Sequence, residues 1–426
     1  MAYQPTTAVE VRAWGRTVGA VSAARDGYGF EYDPDWKRSR VELSPLLMPT
    51  ASTTRVHSFR LPENTYHGLP PMIADALPDK FGHSIVNAWF ATQGINREQI
   101  TPLDRLACLG GRGMGALEFV PDRGPSLART SSLDISDLIV AARAVVAGTI
   151  DGDSNSADAL GQIFSVGASA GGARAKAVVN IDDETQEIRS GQSMPESGEH
   201  AWLLKFDGVG LDRQLGESQQ YTKVEFAYSR MAVAAGITMF ETRLLAENGR
   251  THFLAKRFDR DGSGRIHMQS LCGLAAIDFN AVATHDYAQL FTSARSLDMN
   301  EEAIAQIFKR MVFNVAASNH DDHSKNHSFL LREGGRWELS PAYDITYAKG
   351  SNSIWLNRHL MGVNGKFDGI QRSDLLAVAD RFGVPSAKDA ISDVMGALDS
   401  WGEFANDAGV DTTAYDTIGA DFVALR

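Results

Sequence analysis

In the run Ser318-Asn319-His320-Asp321-Asp322-His323-Ser324-Lys325-Asn326 the chain gathers two carboxylates, two amides and a lysine in one short polar stretch. Transfer of a phosphoryl group needs such groups: an acid takes the proton of the attacking hydroxyl, and oxygen ligands hold magnesium on the phosphates. Asp321 and Asn326 stand five residues apart, and Asp344 follows on a later turn. Mg²⁺ accepts carboxylate and amide oxygens beside phosphate oxygens and water, so Asn326 and Asp344 suit it as metal ligands and Asp321 is the candidate base. Lys325 is a mobile point charge that can reach a γ-phosphate. Two other readings compete. His320, Asp321, Asp322 and His323 together offer ligands of the kind that hold zinc or iron in hydrolases. The stretch is also what a plain solvated turn looks like, because Asp and Asn hydrogen-bond their own backbone.

The flanking elements must deliver these side chains to one place. Ile304, Ile307, Phe308, Met311, Val312 and Val315 recur at the spacing of a helix with one apolar stripe, which ends where the polar run begins. After it, Ser328-Phe329-Leu330-Leu331, the turn Glu333-Gly334-Gly335 and Trp337-Glu338-Leu339 predict a hairpin that folds Asp344 back beside the loop. A protein-kinase catalytic loop separates its base Asp from its metal-binding Asn by the same offset, with a further metal-binding Asp downstream. Such an enzyme also needs a loop around the phosphates and a phosphate-pairing lysine, so the upstream chain is the test.

With 426 residues, two or three packed units are expected. The formal net charge of -12 argues against a broad basic face gripping nucleic acid. Cys108 and Cys272 are the two cysteines, far apart, which fits a reducing cytoplasm, and neither a signal pattern nor an apolar run of spanning length is present.

Val9 to Phe30 reads as a small β meander, and Asp35-Trp36-Lys37-Arg38-Ser39-Arg40 as a charged surface connector. Gly110 to Gly115 is expected to be a tight helix-to-strand turn. Gln162 to Ile181 reads as strand, glycine-rich turn, strand: either a hairpin lid whose small residues let backbone N–H groups close on phosphate, or a merely structural hairpin. Ala201-Trp202-Leu203-Leu204-Lys205-Phe206 is an apolar strand with one lysine inside, which is costly to bury without an anion, so Lys205 is a candidate for the α/β-phosphates. Glu225 either pairs with that lysine or closes a capping box with Thr222. His252 to Arg260 reads as a strand entering a connector, a hinge whose backbone could meet adenine.

With these pieces in order, the chain resembles the HipA family, the serine/threonine-kinase toxins of bacterial type II toxin–antitoxin modules. The strongest match is Asp321-Asp322-His323-Ser324-Lys325-Asn326 with Leu339-Ser340-Pro341-Ala342-Tyr343-Asp344. Asp35 to Arg40, Ala74 to Asp79 and Leu106 to Phe119 match the family's amino-terminal part, and the Asp-x-His-x-x-Asn pattern is similar to that of phosphoinositide kinases. The resemblance implies an α+β, two-lobed, protein-kinase-like fold. Residues 1–128 would be its β-rich N-terminal subdomain, 129–257 the kinase N-lobe part with the glycine-rich loop and lysine, and 258–426 the helical catalytic lobe.

It further implies a cytoplasmic enzyme that phosphorylates protein serine or threonine with ATP and Mg²⁺ and acts in persistence. Asp321 would be the base, with His323 and Lys325 in the catalytic set, and Asn326 and Asp344 would hold the metal. Gly167, Ala168, Ser169, Gly171, Gly172, Lys176 and Lys205 would meet the phosphates, and Lys256, Arg257 and Phe258 the adenine. Ser165, or failing it Ser169, would be autophosphorylated. Implied partners are a HipB-like helix-turn-helix antitoxin, a protein substrate such as an aminoacyl-tRNA synthetase, and operator DNA reached mainly through the antitoxin. Two other functions remain: a small-molecule phosphotransferase of the aminoglycoside-kinase type, and a catalytically quiet corepressor.

Overall fold

A computed structural model gives the fold and describes residues 3–125, 133–147, 160, 161, 163, 164, 166, 174–207, 209, 220–262 and 264–425. The chain divides into two units. The first takes in Met1–Gly216, Leu245–Met268 and Leu331–Gly335; the second takes in Glu217–Leu244, Gln269–Leu330 and Arg336–Arg426.

The first unit carries two sheets. In one, β1 (Ala8–Ala13), β2 (Arg16–Ala24), β3 (Gly27–Tyr32), β4 (His57–Ser58) and β5 (Leu117–Val120) lie in the order β4-β3-β2-β1-β5. Val9, Val11 and Ala13 of β1 are fully buried, the period of two that a half-covered sheet requires. The two residues between β1 and β2, Trp14 and Gly15, both have positive φ (50° and 72°), the backbone that matches a tight hairpin to strand twist. The Asp35 to Arg40 run departs from expectation. Pro34–Ser39 is a short helix capped by Asp33, whose carboxylate accepts the Asp35 N–H at 2.8 Å. Trp36 is the reason: it is buried and stacks on Trp14 at 6.3 Å, so one aromatic residue turns a charged run inward. Gly110 to Gly115 is the expected helix-to-strand turn. Gly110 caps the helix Pro102–Leu109 with φ 55°, and a Cβ on Gly115 would stand 2.8 Å from the Met268 nitrogen.

The other sheet orders β6 (Lys176–Asp182), β7 (Ile188–Ser190), β8 (Glu199–Lys205), β9 (Thr242–Glu247) and β10 (Arg250–Lys256) as β7-β6-β8-β10-β9. Register sets Lys176 opposite Lys205, and Lys205 opposite Phe253. Val179, Trp202 and Leu204 pack in one core with Leu138, Ile139, Ile163 and Phe164. The strand expected just before the glycine-rich loop is absent among the described residues, since 160, 161, 163, 164 and 166 are helical. Leu160, Ile163 and Phe164, all buried, have helix spacing, and that pattern overrides the β-branched character of the run.

Beyond β10, Asp259 forms a buried ionic centre. Arg257 donates to it twice (2.9 and 2.7 Å), Arg260 once (2.7 Å), and the Gly115 N–H once (2.7 Å). Burial alone would raise this carboxyl, but the two guanidinium groups hold it well below the usual carboxylate range.

In the second unit the helix Glu301–Ala316, capped by Asn300, is as expected, and its six stripe residues are buried. The helix is buried more widely than one stripe, because Arg310, Phe313 and Asn314 are inward too. Ser328–Leu331 and Trp337–Leu339 form the expected strands after the loop. The helix carrying Glu225 runs Tyr221–Ala234 with Gln220 at its N-cap and no side-chain cap bond, so Thr222 lies inside the first turn and the capping box is not formed.

Candidate active site

The polar loop hangs from the end of the Glu301–Ala316 helix. Ser318 takes φ 53°, its hydroxyl donates to the Asp421 carbonyl at 2.5 Å, and the Asn319 N–H donates to the Asn314 carbonyl at 2.9 Å. Ser324 donates to the Ile277 carbonyl (2.6 Å) and opens a single 3₁₀ turn, Ser324–Asn326. Tyr343 donates to the Lys325 carbonyl (2.6 Å), which ties the segment before Asp344 to the loop. Asp344 itself has φ 50°, a left-handed conformation that Asp tolerates better than most residues.

Two adjacent carboxylates meet opposite fates here. The Asp322 side chain is fully buried and accepts from Tyr287 OH (3.0 Å), the Leu360 N–H (2.8 Å) and the Met361 N–H (3.2 Å), with His359 Nδ1 at 3.0 Å. Burial opposes its ionisation, but His359 and these donors outweigh it and hold the carboxyl below its ordinary value. Asp321 instead keeps 46% of its side chain exposed, with His323 Nε2 at 3.6 Å from Oδ1. A base must reach a substrate, and of this pair Asp321 is the one that can.

Asn326 and Asp344 line one pocket. The Asn326 Nδ2 donates to the Asp321 carbonyl at 2.7 Å, so Oδ1 is the atom this amide offers a cation. An amide oxygen and a carboxylate, completed by phosphate oxygens and water, are a donor set that fits Mg²⁺. The zinc or iron reading fails on geometry: the His320 ring donates to the Leu356 carbonyl (2.7 Å), Asp322 is spent on its own partners, and no group of three or more His, Cys, Asp or Glu among the described residues could hold a metal. The Lys325 ammonium lies 5.0 Å from the Phe279 ring centre, and the His323 ring 5.5 Å from the same ring.

The residues assigned to ATP fall in the first unit. Lys205 on β8 holds its ammonium 5.8 Å from the Phe253 ring centre, and Lys256 lies 6.0 Å from that of Trp202. Lys176 is 2% exposed and paired at 3.0 Å with Asp79, whose side chain is 8% exposed, which ties β6 to the helix Lys80–Thr92 that Asp79 caps. The Arg257 guanidinium serves Asp259, and its N–H donates to the Ala201 carbonyl at 2.8 Å. Ser165, Gly167, Ala168, Ser169, Gly171 and Gly172 lie outside the described residues. Glu225 is buried in the second unit.

Sequence reasoning passed over Arg310, Asn314 and Asn319, which line the pocket with Asn326 and Asp344, and also Tyr287 and His359. A signal existed for the first two. Arg310 and Asn314 stand four apart inside an apolar helix, and buried polar side chains at that spacing share a face.

Comparison with known proteins bears on the family and the fold. The family description "HipA-like C-terminal domain" matches residues 168–401, and "HipA N-terminal domain" matches residues 9–120. "Putative kinase Y4dM" of Sinorhizobium fredii is 27% identical over 191 residues, 39% of this chain and 43% of that protein. "Putative kinase Y4mE" of the same organism is 25% identical over 134 residues, 29% of this chain and 32% of its own length, so the match spans less than half of either relative. Among solved structures, the HipA, HipB and operator DNA complex of Shewanella oneidensis MR-1 superposes with a TM-score of 0.65 at 18% identity, covering 97% of this chain and 96% of that one. At that identity the likeness is one of fold.

Proposed function

Because this chain belongs to the HipA family, we propose that it is an ATP- and Mg²⁺-dependent serine/threonine-protein kinase, the toxin of a type II toxin–antitoxin module. The observation that carries the reading is the division of labour in the loop. Asn326 and Asp344 share a pocket, Asp322 is locked in the interior, and Asp321 alone of the adjacent pair is left exposed.

In the reaction, Asp321 accepts the proton of a serine or threonine hydroxyl as its oxygen bonds to the γ-phosphorus. The bond from that phosphorus to the bridging oxygen breaks, and ADP leaves with the electron pair. Asn326 and Asp344 would hold Mg²⁺, which neutralises charge on the phosphates. His323, 3.6 Å from Asp321, orients that carboxylate. Lys325 leaves the face of Phe279 to meet a phosphate, Lys205 pairs with the α/β-phosphates, and the Lys256 and Phe258 backbone receives adenine. The glycine-rich loop, with Ser165 or Ser169 as its own phosphate acceptor, closes over the nucleotide. A HipB-like antitoxin would carry the protein to operator DNA, and an aminoacyl-tRNA synthetase is a fitting protein target.

Incubation of the purified chain with radiolabelled ATP and Mg²⁺, beside Asp321→Ala, tests this. Label on Ser165 or Ser169 in the parent and none in the variant is the expected result. Bound ATP without protein label would move the assignment to a small-molecule kinase or a corepressor, and failure to bind ATP would end the kinase reading.

A further inference from the structure

The pocket lined by Asn326 and Asp344 has a second set of walls that the proposed reaction leaves unused. Asp322 dictates part of it. An ionised carboxylate accepts hydrogen bonds and donates none, so Tyr287 OH must donate to Asp322 Oδ2 (3.0 Å). The Tyr287 oxygen then accepts from Asn314 Nδ2 (2.8 Å), which turns Asn314 Oδ1 toward Asn319, and that oxygen accepts from Asn319 Nδ2 (2.9 Å). Each donor is set by the one before it. The chain therefore ends on Asn319 Oδ1, a buried acceptor with no hydrogen-bond partner among the described residues.

Two more buried atoms, on residues that line this pocket, share that condition. Arg310 donates through Nη2 to the Ser340 carbonyl at 2.6 Å, and its Nε–H has no partner. The His327 ring is bonded to the Asp322 main chain, which takes a ring N–H, so Nε2 of the neutral ring is an acceptor, and it too has no partner. All three residues are at least 97% buried and line the same pocket, which has room for about one water.

One donor and two acceptors decide what fits. Between these three atoms a cation is disfavoured by the adjacent Arg310 guanidinium. An anion is disfavoured by Asn319 Oδ1, His327 Nε2 and the Asp344 carboxylate. A single water can accept once and donate twice, which matches one donor and two acceptors. We infer that a buried water joins Arg310 Nε–H, Asn319 Oδ1 and His327 Nε2 in the pocket of Asn326 and Asp344, and that these three are positioning residues for the metal-holding pair. The water ties the helix Glu301–Ala316 to both ends of the polar loop, so the loop cannot shift without breaking it. The positioning role rests on the kinase reading; the water does not.

A high-resolution crystal structure of the full chain, together with Mg²⁺ titrations with and without ATP, tests both. Expected is ordered density within hydrogen-bond distance of the three atoms. In His327→Phe, which keeps the ring packing but removes Nε2, the density is lost and half-saturation by Mg²⁺ rises about tenfold, while metal-free ATP binding holds. Arg310→Lys, which keeps a cationic donor, stays near the parent. Should His327→Phe fail to fold, Asn319→Leu gives the same readout. An empty or collapsed pocket in the parent overturns the water, and an unmoved Mg²⁺ dependence in the variants, or a parent that binds no Mg²⁺, overturns the positioning role. If the parent binds no ATP, the kinase reading falls while the density still decides the water.

Discussion

Asp259 in the first unit and Asp321 in the second are both acids in short connectors flanked by basic residues, yet they do opposite work. Asp259 is fully buried and saturated by Arg257, Arg260 and a backbone N–H, so its charge is consumed in holding the chain together. Asp321 is half-exposed, with an imidazole nearby and its carboxylate accessible. The difference teaches that a carboxylate is available for chemistry to the extent that the fold leaves it exposed. Where a carboxylate is fully engaged, the same charge becomes a fastening.

The largest effect separates the two by substitution. Asp321→Asn is expected to slow phosphoryl transfer about 10³-fold, with unfolding stability within about 0.5 kcal/mol of the parent. Asp259→Asn leaves two guanidinium groups uncompensated in the interior and should cost about 4 kcal/mol in urea unfolding. If both variants lost the same stability, the contrast between the sites would be broken.

A somewhat smaller effect comes from pH. Burial pushes the His267 imidazole down to about 4 from an ordinary 6.5. The unfolded chain therefore binds this proton more readily. The stability tied to neutral His267 is complete above pH 6.5 and is lost as pH falls through about 4, by roughly 3 kcal/mol at most. His267→Phe should flatten the acid limb of the unfolding profile, and an unchanged limb would refute the assignment. The ionised Asp259 also favours the neutral side, so the two groups of the first unit weaken together in acid. The smallest effect sharpens the view of Trp36. Asp33→Ala removes the cap of Pro34–Ser39 and should cost about 1 kcal/mol, measured by the urea midpoint, with no loss of catalysis.

The elements around the site were largely legible. Helix spacing from Ile304 to Val315, the strands after the loop and the offset of Asp321 from Asn326 are local patterns, and local patterns survive folding. The rest depends on partners distant in sequence. The run from Gln162 reads as a strand, although Ile163 and Phe164 have, with Leu160, the spacing of a helix that shares a core with β6 and β8. Nothing local announces Asp79 as the partner of Lys176, 97 residues away. Asp259, the second neighbour of Arg257, likewise shows its role only once the Gly115 turn packs against it.

The sequence by itself determined the chemistry that the polar loop can perform and the family to which the chain belongs, because residue types and short offsets are properties of the chain. Only the tertiary structure decided which of two adjacent aspartates is exposed and which an anchor, and which lysines and arginines are spent on carboxylates. Those outcomes depend on burial and on partners distant in sequence. A charge taken from water must find its counterpart wherever the fold puts one.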